Sequence, residues 1–216
     1  MTKKLFWADP YQTTLETRIV AADGPRVWVD ETIFFAFSGG QESDTGTIGG
    51  LPVVEAAKEG KEISYTLAED PGLEKDQEVT IRIDWPRRYR LMRLHFAAEL
   101  VLEIMYRKLQ GTEKIGAHIA EDKARLDFVW PQSITPLLPE VAAEVQAIVR
   151  KDAEILSAFS DQENEQRFWE VEGFARVPCG GTHLRRTGEV ENVRLKRVNI
   201  GKGKERVDIY LVPEDG

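Results

Sequence analysis

The residues able to bind a soft metal are few in this 216-residue chain: three histidines and one cysteine. His95 and Glu99 lie four apart in a stretch with helical apolar spacing, which puts both side chains on one face, one turn apart. Cys179 and His183 flank Gly180-Gly181-Thr182, and the two glycines let the chain fold back so that a thiolate and an imidazole converge. Two imidazoles, a thiolate and a carboxylate form a donor set suited to Zn²⁺. His95, Cys179 and His183 are the stronger ligands. Glu99 is then either a fourth ligand or a base beside an open position, the difference between a closed structural site and an open catalytic one. The competing reading is structural: a histidine on an apolar helix face is often a hydrogen-bonded core residue, and a lone cysteine a small buried apolar one. His118, in Gly116-Ala117-His118-Ile119 on a predicted strand, is a weaker candidate for the same pocket.

Two kinds of element must position these residues. Residues 1 to about 80 read as short strands: Glu16 to Ala21, Arg26 to Asp30 and Val79 to Asp84 alternate, and Thr32 to Phe37 is apolar. Strands at this spacing predict a small antiparallel barrel or sheet. Trp85-Pro86 marks a boundary, so two domains are expected, at 1–83 and 84–216. The second begins with an amphipathic helix over 87–110, with Leu91, Leu94, Ala98, Val101, Leu102 and Met105 on its apolar face and Gly111 beyond its end. Lys114 to Val129 predicts a hairpin. Pro139 to Phe159 has helical periodicity, Phe168 to Val177 alternates, and Glu191 to Leu211 offers further strands. The fold class is α+β, with helices packed on an antiparallel sheet behind a small N-terminal barrel.

Composition narrows the function classes. One cysteine excludes an internal disulfide framework and fits a reducing compartment, with a cytoplasmic location expected. The apolar run Leu5 to Ala8 is too short for a signal peptide, and no apolar stretch is long enough to span a membrane. The net charge of −8 weighs against nucleic acid only if taken as a sum. From Arg82 to Arg93 there are five arginines and one acid. From Arg185 to Arg206 eight basic residues face Glu189, Glu191 and Glu205. Between them, Glu140 to Glu172 holds nine acids against Arg150, Lys151 and Arg167. Two basic segments are thus masked by an acidic middle. They are either a phosphate-binding face or solvated faces paired with local acids.

Cys179-Gly180-Gly181-Thr182-His183 followed by Thr187-Gly188-Glu189 resembles the signature of the editing domain of alanyl-tRNA synthetases and of their free-standing relatives, the AlaX family. The likeness extends through Asp84 to His95, Glu121 to Phe128, Gly201-Lys202-Gly203 and Arg206-Val207, and at the N-terminus through Asp9-Pro10-Tyr11 and Phe34 to Gly46, as in the medium-length type. What the resemblance implies is a hydrolase for mischarged tRNA(Ala), chiefly Ser-tRNA(Ala) and then Gly-tRNA(Ala), with one zinc ion per chain. Its implied metal ligands are His95, Glu99, Cys179 and His183, with Glu99 also a catalytic candidate. The implied contacts to the tRNA acceptor end are Ser38, Gly39, Gly40, Gln41, Asp44, Thr182, Arg87, Arg88, Arg93, Lys202 and Lys204. No membrane partner is expected, and the assembly is left between a monomer and a weak homodimer. The chain departs from the family pattern where Glu99 replaces the second helical histidine, Phe96 a small hydroxyl residue, Ser38 a glycine and Ala36 a proline. Besides editing, a tRNA-binding homologue without turnover and a metal-dependent hydrolase of another aminoacyl ester share these features.

Overall fold

The computed structural model describes residues 2–201 and 203–212. Two compact units appear, one of residues 1–38 and 42–90, the other of 39–41 and 91–216.

In the first unit six antiparallel strands close into a ring: β2 (Thr14–Asp23), β3 (Arg26–Val29), β7 (Glu62–Leu67), β6 (Leu51–Glu59), β5 (Gly46–Ile48) and β8 (Glu78–Ile83), with β8 pairing back onto β2. A two-residue strand β1 (Lys3–Lys4) pairs parallel with β4 (Glu31–Thr32). Alternation produces this ring: Ile19, Val27, Val29, Ile63, Tyr65, Ile81 and Ile83 are buried inside it, together with Ile33 to Ala36, while their strand neighbours face outward. The apolar stretch expected to be extended at Thr32 to Phe37 is mostly irregular. It is buried by its side chains, and Phe37 is exposed.

Helix α1 (Trp85–Lys108) starts two residues before the predicted 87. Asp84 explains the start: its Oδ1 accepts from the Arg87 N–H and its carbonyl from the Arg88 N–H. Pro86, read as a boundary, occupies the first turn, where its missing N–H costs nothing.

The second unit holds a four-stranded antiparallel sheet in the order β14 (Asn192–Asn199), β15 (Lys204–Val212), β10 (Ala124–Val129), β9 (Glu113–Ile119). A second sheet is formed by β11 (Leu156–Asp161), β12 (Gln166–Val171) and β13 (Ala175–Pro178). Helix α2 (Leu138–Arg150) packs on β14 with Leu138, Val141, Val145 and Val149 buried. It is shorter than the periodicity of 139–159 predicts, and Leu156 to Phe159 belong to β11. The helix stops because Asp152 takes φ +46° and the Thr187 hydroxyl accepts from the Ala153 N–H, drawing the chain away from the helical path. Among the described residues no helix is long and apolar enough to cross a membrane. The α+β class, with its N-terminal strand ring, is the architecture observed.

Candidate metal centre

Two pieces of local structure deliver the cluster, helix α1 and the turn that follows β13. α1 supplies His95 and Glu99, whose Nε2 and Oε1 lie 3.2 Å apart. The end of β13 delivers Cys179, with Sγ 3.4 Å from both His95 Nε2 and Glu99 Oε1. The chain then turns through Gly180-Gly181. A β-carbon at Gly181 would overlap the His95 ring and crowd Gln41 Oε1, so the approach of this turn to α1 requires glycine. His183 follows, its ring centroid 5.1 Å from that of His95. One ligand atom from each of His95, Cys179 and His183 lies within 4.8 Å of the others.

The imidazoles are aimed by their outer nitrogens. His95 Nδ1 lies 3.3 Å from the Thr182 carbonyl, an acceptor, which keeps a proton on Nδ1 and aims Nε2 at Cys179 and Glu99. His183 Nδ1 is 3.1 Å from the Ser157 hydroxyl, and His183 Nε2 is buried with no hydrogen-bond partner. An orphaned imidazole nitrogen beside a thiol and a carboxylate is what a bound cation would satisfy. The donor set therefore fits a metal ion.

The electrostatics point the same way. Burial disfavours a charged His95, yet the neighbouring Cys179 and Glu99 outweigh it and hold its pKa well above the ordinary value. His183, pushed down by burial and by the charge of His95, stays neutral. Burial raises the Glu99 carboxyl, but the hydrogen bond and charge of His95, helped by His183 and Trp169, bring it down to about 2. The Glu99 carboxylate thus calls for a positive charge beside it, and without a metal His95 carries it as a proton.

Sequence reasoning missed three supports. The Trp169 indole N–H donates to Glu99 Oε2 at 3.2 Å, and Trp169 packs edge-on against Phe96 at 5.1 Å. Arg167 donates to the Gly181 carbonyl at 3.3 Å, and burial pushes its guanidinium down to about 10 against the charge of Cys179. Ser157 holds His183. Trp169 and Arg167 sit on either side of Phe168 in β12, so in sequence they look like ordinary strand residues. Thr187-Gly188-Glu189 lies outside the cluster. Thr187 ties the end of α2 through the Ile148 carbonyl, and Glu189 Oε1 caps the Arg185 and Arg186 N–H groups.

The other residues singled out from the sequence separate into groups. Gln41 and Thr182 join the metal cluster: Gln41 Nε2 donates to Thr182 Oγ1 at 2.8 Å, and the Thr182 N–H donates to Gln41 Oε1 at 3.3 Å. Gly40 makes this reach possible. Its φ is +93°, its carbonyl accepts from Ile119 at 2.7 Å, and a β-carbon there would sit 2.6 Å from the Ala117 carbonyl oxygen. Gly39 is exposed beside it, and Ser38, half-buried, ends the first segment of the first unit. Asp44 and Arg88 lie in the core of the first unit, as a fully buried ion pair. Arg88 also donates to the Pro10 and Ile33 carbonyls, and Asp44 Oδ2 accepts from the Phe35 N–H. The expected phosphate contact of Arg88 gives way to this role, because every guanidinium nitrogen is engaged and none reaches solvent. Arg87 pairs with Glu42 at 2.7 Å, and Arg93 with Glu191 at 2.5 Å. Lys204 is exposed on β15, while Lys202 lies outside the described residues. His118 is not part of the cluster. It lies in register with Arg125 on the sheet, two strands from β15.

Comparison with known proteins gives this cluster a context. The profile of the threonyl and alanyl tRNA synthetase second additional domain matches residues 167–208, a stretch that includes Trp169, Cys179 and His183. The alanyl-tRNA editing protein AlaX-M of Saccharolobus solfataricus is 33% identical, over 99% of this chain and all of its own length. That of Pyrococcus horikoshii is 29% identical over 98% of both chains. The alanine–tRNA ligase of Ignicoccus hospitalis is 32% identical over 90% of this chain, which spans 24% of the ligase. Matched from end to end by relatives of its own size, with the cysteine–histidine turn inside the shared domain, the chain belongs to the AlaX-M family of alanyl-tRNA editing proteins.

Proposed function

We propose that this chain hydrolyses the ester linking a wrong amino acid to the 3′ end of tRNA(Ala), chiefly serine and secondarily glycine, and that its metal is a single Zn²⁺. The observation that carries the reading is the converging group of His95, Cys179 and His183, with an orphaned His183 nitrogen, in a chain of the AlaX-M family. His95, Cys179 and His183 would hold the ion, with Glu99 as the fourth donor. What supports Glu99 in that place is Oε1 lying 3.2 Å from His95 Nε2 and 3.4 Å from Cys179 Sγ. When bound, Zn²⁺ supplies Lewis acidity and a fixed point for orienting polar groups of the aminoacyl ester.

The chain's own residues supply the rest. Thr182 and Ser157 orient the two imidazoles. Phe96, fully buried and 6.5 Å from the His183 ring, gives the site an apolar wall. Gln41 and Thr182 place amide and hydroxyl groups at the turn that carries His183, where a serine hydroxyl can be told from an alanine methyl. A site that hydrogen-bonds a hydroxyl rejects the analogue lacking it far more strongly than an apolar pocket does. Glu99, ionised, is also the group able to take a proton from an attacking water if it leaves the ion. The reading places the protein in the cytoplasm with the charged tRNA.

The test is deacylation of Ser-, Gly- and Ala-tRNA(Ala) by the purified protein, with and without chelator. Loss of serine from the tRNA, abolished by chelator and with Ala-tRNA(Ala) spared, supports the reading. Binding of tRNA without hydrolysis of any of the three, or turnover of other aminoacyl esters alone, overturns it.

A further inference from the structure

The basic residues that crowd the sequence are not equally available. Arg88 is buried against Asp44, while Arg87 and Arg93 are paired with Glu42 and Glu191. A different set collects on one face of the four-stranded sheet. Strand alternation and register put Ala124, Leu126, Phe128, Val207 and Ile209 on the buried face. On the opposite face, Arg194 lies in register with Tyr210, Lys196 with Asp208 and Arg125, and Arg206 with Asp127. Lys204 shares that face by the same alternation, and Lys123 reaches it by pairing with Asp208 at 2.7 Å. The acids on this face are Glu113, Asp127 and Asp208, with Glu121 and Asp122 in the adjoining turn. Asp127 is occupied by Arg206 and Asp208 by Lys123. None of Arg125, Arg194 and Lys196 is joined to an acid among the described residues. A chain of net charge −8 thus carries a sheet face with a surplus of cations.

Tyr210 stands within that face, with the Arg194 guanidinium 4.7 Å and the Lys123 ammonium 5.8 Å from its ring centre. Stacked planes of this kind receive unpaired bases, and exposed four-stranded sheets with such planes are a recurrent RNA platform. Round the edge of β14 a cleft of about 910 Å³ is lined by Arg194, Lys196 and the Glu205-paired Arg197 together with the apolar Leu138, Ala142 and Leu195. At the other edge the glycine segment adds to the sheet: Gln41 bridges to Ile119 at the end of β9, and it also clamps Thr182 beside His183. The row from Lys196 to His118 crosses four strands, about 14 Å. RNA laid across it ends at the segment that contacts the metal cluster.

We infer that the outer face of the β14-β15-β10-β9 sheet is the tRNA-binding surface, with Arg125, Arg194 and Lys196 on the phosphates and the Arg194–Tyr210 stack beneath an unpaired base. This rests on tRNA being the substrate and names the surface that holds it. The observations favour RNA over an acidic protein, because the face combines unpaired cations with an aromatic ring.

The experiment measures binding of uncharged tRNA(Ala) to the whole protein by fluorescence anisotropy at a series of salt concentrations. Wild type is compared with Arg125→Gln/Lys196→Gln, Tyr210→Ala and Lys151→Gln, the last altering an exposed lysine beyond α2. The double variant should weaken binding about tenfold or more and lower the salt slope by about 1.5, near 0.7–0.9 for each phosphate that is no longer neutralised. Tyr210→Ala should weaken binding and leave the slope unchanged, and Lys151→Gln should behave as wild type. Metal content and melting temperature report that each variant is folded. Equal affinity and slope in wild type and the double variant would overturn the inference, whichever other surface or partner the face serves. Hydrolysis with face-independent binding overturns this inference alone. Face-dependent binding without hydrolysis supports it and overturns the editing reading instead.

Discussion

The Trp169 indole N–H donates to Glu99 Oε2 at 3.2 Å, on the carboxylate oxygen opposite the one that faces His95 and Cys179. A glutamate side chain has more rotational freedom than an imidazole, and Trp169 removes it. Partners of this kind, one bond behind a ligand, typically govern metal affinity by about 10–100-fold. Trp169→Phe keeps an aromatic ring against Phe96 and deletes the N–H. Its zinc affinity, titrated against a chromophoric chelator, should fall within that range. Unchanged affinity would show that Glu99 needs no such anchor or is not a ligand.

Cys179→Ala and His183→Ala each remove one strong donor. Purified protein should hold about one zinc per chain, and each variant much less, since structural and catalytic sites both need at least three protein ligands. Metal analysis decides the matter, and equal zinc in all three proteins would sink the site.

Gly181→Ala should disrupt the site without touching a ligand. The added methyl overlaps the His95 ring, so α1 and the turn must separate. Overpacking of this kind typically costs about 1–3 kcal/mol. Both the zinc content and the melting temperature should drop; wild-type values for both would refute the close approach.

The pH dependence has a fixed sign. A raised His95 pKa means that the ion must displace a proton there, so apparent metal affinity should rise with pH until that raised value is passed. Glu99, held at about 2, adds no proton competition near neutrality. In metal-free protein its depressed pKa contributes stability that is fully present above the ordinary carboxyl value of about 4.5 and is lost as pH falls toward about 2. Calorimetric zinc titrations across the neutral range test the first part, and acid unfolding of Glu99→Gln against wild type tests the second. An affinity independent of pH would contradict the proton exchange.

Arg88 offers a stability test far from the chemistry. It is completely buried with Asp44, and Arg88→Ala would leave that carboxylate buried and unpaired, at a cost of about 3–5 kcal/mol. The melting temperature should fall by many degrees. A small shift would mean that solvent reaches Asp44.

The sequence by itself determined the local periods and the local chemistry. Alternation gave the ring strands and the hairpin of β9 and β10. The four-residue spacing set His95 and Glu99 on one helical face, and Cys179 to His183 carried enough of a motif to mark the turn. These properties depend only on neighbours along the chain. Where a longer-range partner overrode the period, the sequence misled: apolar spacing runs on to Phe159, but Thr187, 34 residues beyond Ala153, bends the chain out of α2. Tertiary structure alone decided which groups meet. It set Trp169 behind Glu99, Ser157 behind His183 and Gln41 against Thr182. It also sorted the arginines, sending Arg88 inward to Asp44 and leaving Arg125 and Arg194 on an open sheet face. A charge run records how many cations a segment has. Which of them are neutralised depends on acids brought near by the fold, up to 98 residues away for Arg93 and Glu191.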